Sequence, residues 1–195
     1  MFTGIIQNLG KITEITQTRL VVETEADFVD ELDNGASVAI DGICLTVVSQ
    51  DKNCFTLDVM PETVDRTNLK YLKAENPVNL EMPAMPNSFL AGHIVQGHID
   101  GVAKLQSITD AGNSRILKFS IPEPLAKYIV EKGSIAINGV SLTVIAAQKD
   151  YFTVGIIPHT WDKTMFNKFK TGDFANIETD VLAKYVERLL DKSKI

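Results

Sequence analysis

The sequence contains an internal repeat, and this repeat constrains the fold more than any other feature. Ile40–Val47 (IDGICLTV) matches Ile137–Val144 (INGVSLTV) at an offset of 97 residues. The same offset aligns Pro61–Thr67 with Pro158–Thr164, while near the start of each copy the offset is 93 residues. A four-residue insertion in the second copy accounts for the difference. Matches of this length at one offset indicate two homologous domains.

We place these domains at residues 1–90 and 91–180, followed by a C-terminal segment at residues 181–195. The boundary falls in Pro83–Ser88 (PAMPNS), which has the composition of a linker. Each domain is rich in short β-branched or aromatic runs that end at turn residues, and this predicts a small closed barrel or a sandwich. The clearest strand candidates are Leu20–Thr24, Val38–Ile40, Leu45–Val48, Phe55–Val59 and Ile116–Ile121.

One helix is expected inside each domain. In the second copy, Pro122 and Pro124 precede apolar residues at helical spacing, and Gly133 would end the helix. The first copy has a looser counterpart around Phe28, which ends at Gly35.

The C-terminal segment has no counterpart in the first copy and follows the spacing of an amphipathic helix. Asp180 stands where an N-cap is expected, and Lys192 and Lys194 lie near the C-terminal end of the helix dipole. A helix of about 12 residues is marginal alone, so it must pack on other parts of the protein. We favour a helix that drives oligomerisation, with packing inside the chain as the alternative. Its apolar positions are Val181, Leu182, Tyr185, Val186, Leu189 and Leu190.

Charge and composition argue against several classes of partner. The net charge is -6 and the basic residues are scattered between acids, so no nucleic-acid partner is expected. No apolar run approaches the roughly 20 residues of a membrane helix. Met1–Gly4 lacks the features of a signal peptide, so we expect a cytoplasmic protein. Cys44 and Cys54 suit a reducing compartment, and they are not at metal-ligand spacing from the histidines, so no metal site is expected.

A duplicated fold offers two similar pockets, and chemistry on two identical molecules in different roles requires those pockets to differ. Cys44 stands opposite Ser141, and each follows a glycine turn and precedes Leu-Thr-Val. The pair offers one soft nucleophile and one hydroxyl, although Cys44 is equally explained as a small buried apolar residue. Cys54 has no such context and is expected in the core.

Further departures from the repeat involve titratable side chains. His98 stands opposite Ile5 and could carry a proton near neutral pH, whereas His93 is expected to be structural and to donate to backbone at the domain junction. Asp180 stands opposite Pro83, where it could hold a diol or relay a proton while also capping the helix.

Two sets of polar residues recur near the glycine and proline turns. Glu62 and His159 are equivalent and could touch a ligand edge or could be solvated turn residues. Threonines in strands need no function, but threonines repeated in both copies are candidates for binding the same ligand twice. These pairs are Thr46 with Thr143 and Thr63 with Thr160.

Taken together, five motifs resemble the riboflavin synthase family across nearly the whole chain. They are Met1–Ile6 (MFTGII), Asp41–Val47 (DGICLTV), Gly92–Gly101 (GHIVQGHIDG), Asn138–Val144 (NGVSLTV) and Asn176–Asp180 (NIETD). The resemblance implies two six-stranded Greek-key barrels, each binding one lumazine, and a C-terminal helix that joins three subunits. It also implies a productive site between the N-terminal barrel of one subunit and the C-terminal barrel of another.

The family pattern also implies which residues bind the ligands. The first pocket would use Gly4, Ile5, Ile6, Cys44, Leu45, Thr46, Asp58, Val59, Met60, Pro61, Glu62, Thr63, Gly97, His98 and Ile99. The second pocket would use Gly97, His98, Ile99, Ser141, Leu142, Thr143, Ile157, Pro158, His159, Thr160, Trp161 and Asp162. Lys132 matches a lysine that reaches across from a neighbouring chain.

The implied reaction is a dismutation of two molecules of 6,7-dimethyl-8-ribityllumazine into riboflavin and 5-amino-6-ribitylaminouracil, by transfer of a four-carbon unit. One molecule loses a proton from its acidic C7 methyl group, and the other is attacked at its ring carbons. No metal or redox cofactor is implied. We assign proton transfer to His98 and Ser141, with Thr143 nearby.

The remaining site residues have supporting roles in this hypothesis. Cys44 would assist addition at C7 of the acceptor or orient that ring. Asp180 would position ribityl hydroxyls or relay a proton, while Phe2 and Thr3 would close over the site. Association with a lumazine synthase is left open.

Two other classes of protein are weighed against this hypothesis. The antenna fluorescent proteins of luminous bacteria share the fold but bind lumazine or flavin without turnover, as monomers with an empty second barrel. A flavin-binding reductase domain is disfavoured because no GxGxxG stretch follows a strand. The enzyme is favoured because the second-barrel residues Ser141, Thr143, Thr160 and Asp180 are all present.

Overall fold

The computed structural model describes residues 1–190, which fold into two closed barrels of six antiparallel strands. The first barrel consists of β1 (Asn8–Ile15), β2 (Arg19–Glu23), β3 (Ser37–Ile40), β4 (Ile43–Asp51), β5 (Cys54–Asp58) and β6 (Pro77–Glu81). The second consists of β7 (Gly101–Ala111), β8 (Ser114–Ser120), β9 (Ser134–Ile137), β10 (Val140–Ala147), β11 (Tyr151–Ile156) and β12 (Phe174–Thr179). Around the first barrel the order is β1-β2-β5-β4-β3-β6, and the second repeats it as β7-β8-β11-β10-β9-β12. The predicted double-barrel fold is confirmed.

Alternating burial along the strands gives each barrel its own core. In β2, Leu20 and Val22 point inward between more exposed neighbours, and in β11 Phe152 and Val154 do the same. Burying a side chain of this size contributes roughly 1.5–3 kcal/mol. The two sets of inward residues form separate clusters, one inside each barrel.

Short helices connect the strands. The α-helices of the barrels are α1 (Ala26–Asp30), α2 (Pro61–Arg66) and α3 (Pro158–Lys163), and 3-10 helices span Asn68–Tyr71, Glu123–Tyr128 and Met165–Lys168. The helix expected between Pro122 and Gly133 is therefore shorter than predicted and of the 3-10 type. It ends early because Ile129 is extended and buries its side chain in the second core.

The C-terminal segment forms helix α4 (Val181–Leu190). Asp180 caps it as predicted, because its Oδ1 accepts the Leu182 N–H at 3.0 Å. Lys184 pairs with Asp100 at 2.6 Å, and Glu187 contacts both Lys127 and Tyr128. Lys192 and Lys194 lie outside the described residues. An apolar stripe on α4 is exposed and consists of Leu182, Tyr185, Val186, Leu189 and Leu190. No helix within residues 1–190 is long and apolar enough to cross a membrane.

The two barrels meet at a buried polar junction built from repeat pairs. The Asp41 Oδ1 accepts the Asn79 N–H at 2.8 Å, and the Asn138 Oδ1 accepts the Asn176 N–H at 2.7 Å. The side-chain amides then cross between barrels: Asn79 donates to the Asn138 carbonyl, and Asn176 donates to the Asp41 carbonyl, both at 2.9 Å. These reciprocal bonds fix the barrels about an approximate two-fold axis.

Asn68 breaks this symmetry. Its Nδ2 donates to Asp41 Oδ2 at 2.9 Å, whereas the equivalent residue in the second copy is Met165. Burial raises the pKa of the Asp41 carboxyl to about 7, although hydrogen bonds from Asn79 and Asn68 act in the opposite direction. Among the two repeat pairs of this network, the acid therefore lies on the side of the first barrel.

Two chain segments lie outside the barrels, and each one crosses from its own barrel to the other. We call residues 1–7 the N-terminal strap and residues 92–99 the central strap. They pair through Phe2, whose N–H donates to the Val95 carbonyl at 2.6 Å. Beyond this pair, each strap precedes one barrel in sequence but packs on the other. Ile6 contacts the core of the second barrel, and Ile99 contacts the core of the first.

Candidate active site

The first-barrel pocket is a cavity of about 350 Å³ between β4, α2 and the central strap. Its charged groups include Glu62 and Arg66, which form an ion pair at 2.9 Å along α2. His98 lies on the rim and is exposed, while Cys44 is half-buried. The lining residues are Ile43, Cys44, Met60, Glu62, Thr63, Arg66, Thr67, Gly97, His98 and Ile99. The structure thus brings the predicted residues Cys44 and His98 to one cavity.

Cys44 lies directly beneath the central strap. Its N–H donates to the Gly97 carbonyl at 2.9 Å. A Cβ on Gly97 would lie 2.6 Å from the Cys44 Cβ and 3.0 Å from the Phe2 ring, and Gly97 has a φ of +82°. Glycine is required here because both the backbone conformation and the close approach exclude a side chain.

Ser141 occupies the equivalent position on the second barrel, beneath the N-terminal strap. Its N–H donates to the Gly4 carbonyl at 2.8 Å, and its Oγ lies 2.7 Å from His93 Nδ1. Burial lowers the pKa of His93, and the nearby charge of Asp180 partly offsets this effect. A neutral imidazole at neutral pH can share a proton with the hydroxyl.

The prediction that the His93 side chain donates to backbone was wrong. Its side chain pairs with Ser141, and its Nε2 is buried without a hydrogen-bond partner among the described residues. Sequence reasoning missed this contact because it depends on the path of the straps. The only signal was the position of His93 in the motif that also contains His98.

Phe2 and Thr3 are fixed parts of the junction and not a cover over a pocket. Phe2 is 1% exposed and packs with Ala39, Val95 and Ala136 next to Cys44. Thr3 is buried, and its N–H and hydroxyl both donate to Glu81 Oε1 at 2.7 Å. The expectation that these two residues close over the site is corrected accordingly.

The assignment of the N-terminal strap to the first pocket is also corrected. Gly4 lies on Ser141, so that Ile5 and Ile6 belong beside the second barrel. The assignment failed because each strap crosses to the other barrel, and the alignment of the two copies does not show this crossing.

Other predicted residues are divided between core and surface. Leu45 and Val59 are buried in the core of the first barrel. Leu142 and Trp161 pack against the second core, and the Trp161 ring carries the Arg115 guanidinium at 4.1 Å. The exposed members are Thr46, Asp58, Met60, Pro61, Thr143, Ile157, Pro158, His159 and Asp162, while Thr63 and Thr160 are half-buried.

Lys132 lies on an exposed turn of the second barrel, with a φ of +63°. Its N–H donates to the Val144 carbonyl at 2.8 Å, as the N–H of the equivalent Gly35 does to Val47. A lysine therefore adopts a conformation that favours glycine, which costs about 1 kcal/mol or more.

Two buried carboxylates that sequence reasoning did not place in the site hold the straps. Glu81 accepts hydrogen bonds from Thr3 and Gly4, and Glu178 accepts them from Gln96 and Gly97. Burial raises the pKa of both carboxyls, while the strap N–H groups lower it. The two glutamates align in the repeat, which was the signal available from the sequence.

The duplicated six-stranded barrel, with equivalent glycine turns beneath the two straps, is the arrangement of a lumazine-binding protein. The family model described as Lumazine binding domain matches residues 3–83 and again residues 96–180. The chain therefore belongs to the lumazine-binding family that includes the riboflavin synthases, as the sequence motifs predicted.

Comparison with individual proteins supports this assignment. The chain is 43% identical over 195 residues to riboflavin synthase of Actinobacillus pleuropneumoniae, covering 98% of this chain and 91% of the relative. It is 39% identical to the riboflavin synthase of Bacillus subtilis (strain 168), covering 99% and 91%. Among solved structures, LumP complexed with riboflavin superposes with a TM-score of 0.85 at 27% identity, covering 92% of this chain and 99% of LumP. LumP complexed with 6,7-dimethyl-8-(1'-D-ribityl) lumazine superposes with a TM-score of 0.83 at 26% identity, with the same coverage.

Proposed function

We propose that this chain is a riboflavin synthase, a transferase that converts two molecules of 6,7-dimethyl-8-ribityllumazine into riboflavin and 5-amino-6-ribitylaminouracil. The observation that carries the proposal is the pair of equivalent positions with different chemistry. Cys44 and His98 line the pocket of the first barrel, and Ser141, bonded to His93, holds the equivalent position on the second barrel. Two identical molecules would meet two different sets of groups and could take different roles.

The chemistry needs proton transfer and close approach of two rings. One lumazine loses a C7 methyl proton and becomes the nucleophile. The resulting carbanion then attacks a ring carbon of the other lumazine. The two products together contain all atoms of the two substrates, so the reaction consumes no oxidant or reductant. General acid–base groups contribute typically 10²–10⁴-fold in rate, and holding the rings in contact lowers the barrier by several kcal/mol.

The proposed residue roles follow the two pockets. Ser141 Oγ, bonded to the neutral His93, moves a proton at the second barrel, with Thr143 exposed nearby on the same strand. His98 moves a proton at the first barrel, and Cys44 orients the ring bound there or assists addition to it. Asp180 binds a ribityl hydroxyl or relays a proton while its Oδ1 caps α4.

We further propose a homotrimer in which the first pocket of one subunit faces the second pocket of another. The exposed apolar stripe of α4 supports this proposal, since such surfaces favour association. Lys132 would then reach the ligand of a neighbouring chain. A cytoplasmic location remains a prediction.

A non-catalytic antenna protein is the second candidate, favoured by the similarity to LumP. The higher identity, 36–43%, is to riboflavin synthases, including that of Schizosaccharomyces pombe (strain 972 / ATCC 24843) at 36%. The polar groups of the second barrel are also present, which favours the enzyme over the antenna.

The test is to incubate the purified protein with 6,7-dimethyl-8-ribityllumazine and follow riboflavin formation by absorbance. We expect catalytic turnover with one riboflavin formed per two lumazines consumed. Tight binding without product would contradict the proposal and indicate an antenna. Ser141→Ala should lower kcat by about 10²-fold, and full turnover of Cys44→Ser would remove Cys44 from the chemistry.

A further inference from the structure

We propose that Glu81 and Glu178 are positioning residues, each of which shapes the ligand pocket of the opposite barrel by anchoring a strap. The inference rests on the proposed function for its ligand, and it assigns a role to two side chains outside both pockets. Glu81 ends β6 of the first barrel, and Glu178 lies near the end of β12 of the second barrel.

Glu178 anchors the central strap. It is 2% exposed; its Oε1 accepts the Gln96 N–H at 2.6 Å and its Oε2 accepts the Gly97 N–H at 2.9 Å. The carbonyl of Gly97 in turn accepts the Cys44 N–H at 2.9 Å. A carboxylate of the second barrel therefore fixes the peptide that precedes His98 in the first pocket.

Glu81 anchors the N-terminal strap in the same way. It is 3% exposed, and its Oε1 accepts both the N–H and the hydroxyl of Thr3 at 2.7 Å. The Gly4 N–H lies 3.2 Å from Oε1 and 3.1 Å from Oε2. The Gly4 carbonyl then accepts the Ser141 N–H at 2.8 Å. A carboxylate of the first barrel thus fixes the peptide that lies over Ser141.

The carboxylate form is needed for this anchoring. Both oxygens of each glutamate accept N–H donors, and an ionised carboxylate is the side chain that offers only acceptors. In glutamine one oxygen is replaced by an NH₂ group, which would oppose a strap N–H of the same polarity. Glu→Gln keeps the size of the side chain and removes one half of the anchor, and buried donors left without acceptors are unfavourable.

A general structural role and a positioning role predict different results. If the glutamates only hold the protein together, both substitutions should weaken both pockets equally. If each positions one strap, Glu178→Gln should damage the first pocket and Glu81→Gln the second. Cys44 reports which pocket is occupied, because a ligand bound beside it should protect its thiol from iodoacetamide.

The experiment compares full-length Glu178→Gln, Glu81→Gln and the parent protein, all carrying Cys54→Ser so that Cys44 is the one thiol. Each is titrated calorimetrically with riboflavin and with 6,7-dimethyl-8-ribityllumazine, and Cys44 alkylation is timed with and without ligand. Exposed Glu31→Gln is the matched control and should behave as the parent.

We expect Glu178→Gln to bind one ligand per chain with wild-type affinity and the other at least tenfold more weakly, and to lose ligand protection of Cys44. Glu81→Gln should also lose one site but keep the protection. Loss of both sites in both variants, or unchanged binding and protection, would overturn the proposal. If the glutamine variants do not fold, Glu178→Asp and Glu81→Asp keep the buried charge and shorten its reach, and the same site-specific pattern is expected. Parent protein that binds two ligands but forms no riboflavin would contradict the proposed enzyme and leave this test intact.

Discussion

Gly42 and Gly139 meet back to back where the two barrels touch. A Cβ on Gly42 would lie 2.6 Å from the Gly139 nitrogen, and a Cβ on Gly139 would lie 2.8 Å from the Gly42 nitrogen. Both residues have a φ near +78°, in the region that favours glycine. The contact is backbone against backbone, so no side chain can move aside to relieve it.

Gly42→Ala should therefore destabilise the protein strongly. Left-handed backbone strain costs about 1–2 kcal/mol, and forcing extra volume into a packed region adds about 1–3 kcal/mol. Urea unfolding measures the sum. Gly35→Ala is the control, because Gly35 has a φ of +88° but nothing within 4 Å of the added Cβ, so only strain applies. Equal losses in the two variants would show that the barrels do not meet here.

Much of the fold was predictable because the repeat can be read directly from the sequence. The match of Ile40–Val47 to Ile137–Val144 indicated two copies of one fold, and the β-branched runs predicted strands. The exchange of the straps was not predictable, since Gly4 aligns with Gly97 whichever barrel each one packs on. This one ambiguity accounts for two errors in the site, the pocket assigned to Gly4 and the role assigned to His93.

The burial of individual polar residues was equally hidden. Glu81 and Glu178 align in the repeat, but a glutamate at the end of a strand is usually exposed. Only the crossing straps supply the N–H donors that make their burial favourable. The cap formed by Asp180 was predictable because it depends on neighbours in sequence alone.

Asp41 should make the stability of the protein depend on pH. Its pKa is about 7 in the folded protein and about 3.9 in an unfolded chain. Between these pH values the folded protein keeps the proton that the unfolded chain has released, so the free energy of unfolding falls as pH rises from about 4 to about 7 and levels off above about 7. Asp41→Asn, which copies Asn138, should flatten this fall in urea unfolding at several pH values between about 5 and 8.

Glu81 and Glu178 also have raised pKa values and contribute a fall of the same sign, so the informative quantity is the difference between variant and parent. Exposed Asp33→Asn is the matched control for the loss of one carboxylate. If Asp41→Asn has the same profile as the parent, Asp41 does not titrate in this range.

Lys132→Gly should separate stability from function. Glycine relieves the left-handed strain, but it also has a larger conformational entropy in the unfolded chain. The net gain in the free energy of unfolding is up to about 1 kcal/mol. If Lys132 reaches a ligand in a neighbouring subunit, turnover should fall while the melting temperature rises. Lys52→Gly is matched, because Lys52 is exposed in the β4–β5 turn with a φ of +50°, and it should gain stability without loss of turnover.

Leu189→Asp should dissociate the proposed trimer. Leu189 is 73% exposed on the apolar stripe of α4, so a charge there is solvated in a single chain but buried and unpaired at an interface. Sedimentation velocity should show trimers for the parent and monomers for the variant, with turnover lost in the same concentration range. Lys149→Asp, on an exposed turn of the second barrel, should remain trimeric. A parent protein that sediments as a monomer would contradict the role given to α4.

The crossed straps are consistent with a precursor that had a single barrel. A forerunner with a single barrel would have carried a strap that suited a barrel other than its own, so it could complete a pocket only by pairing with a second copy of itself. Fusion of two such copies would turn an exchange between molecules into one within a molecule. Once both copies lay on one chain, each could mutate without imposing the same change on its twin, and cysteine could stand in one pocket while serine stood in the other.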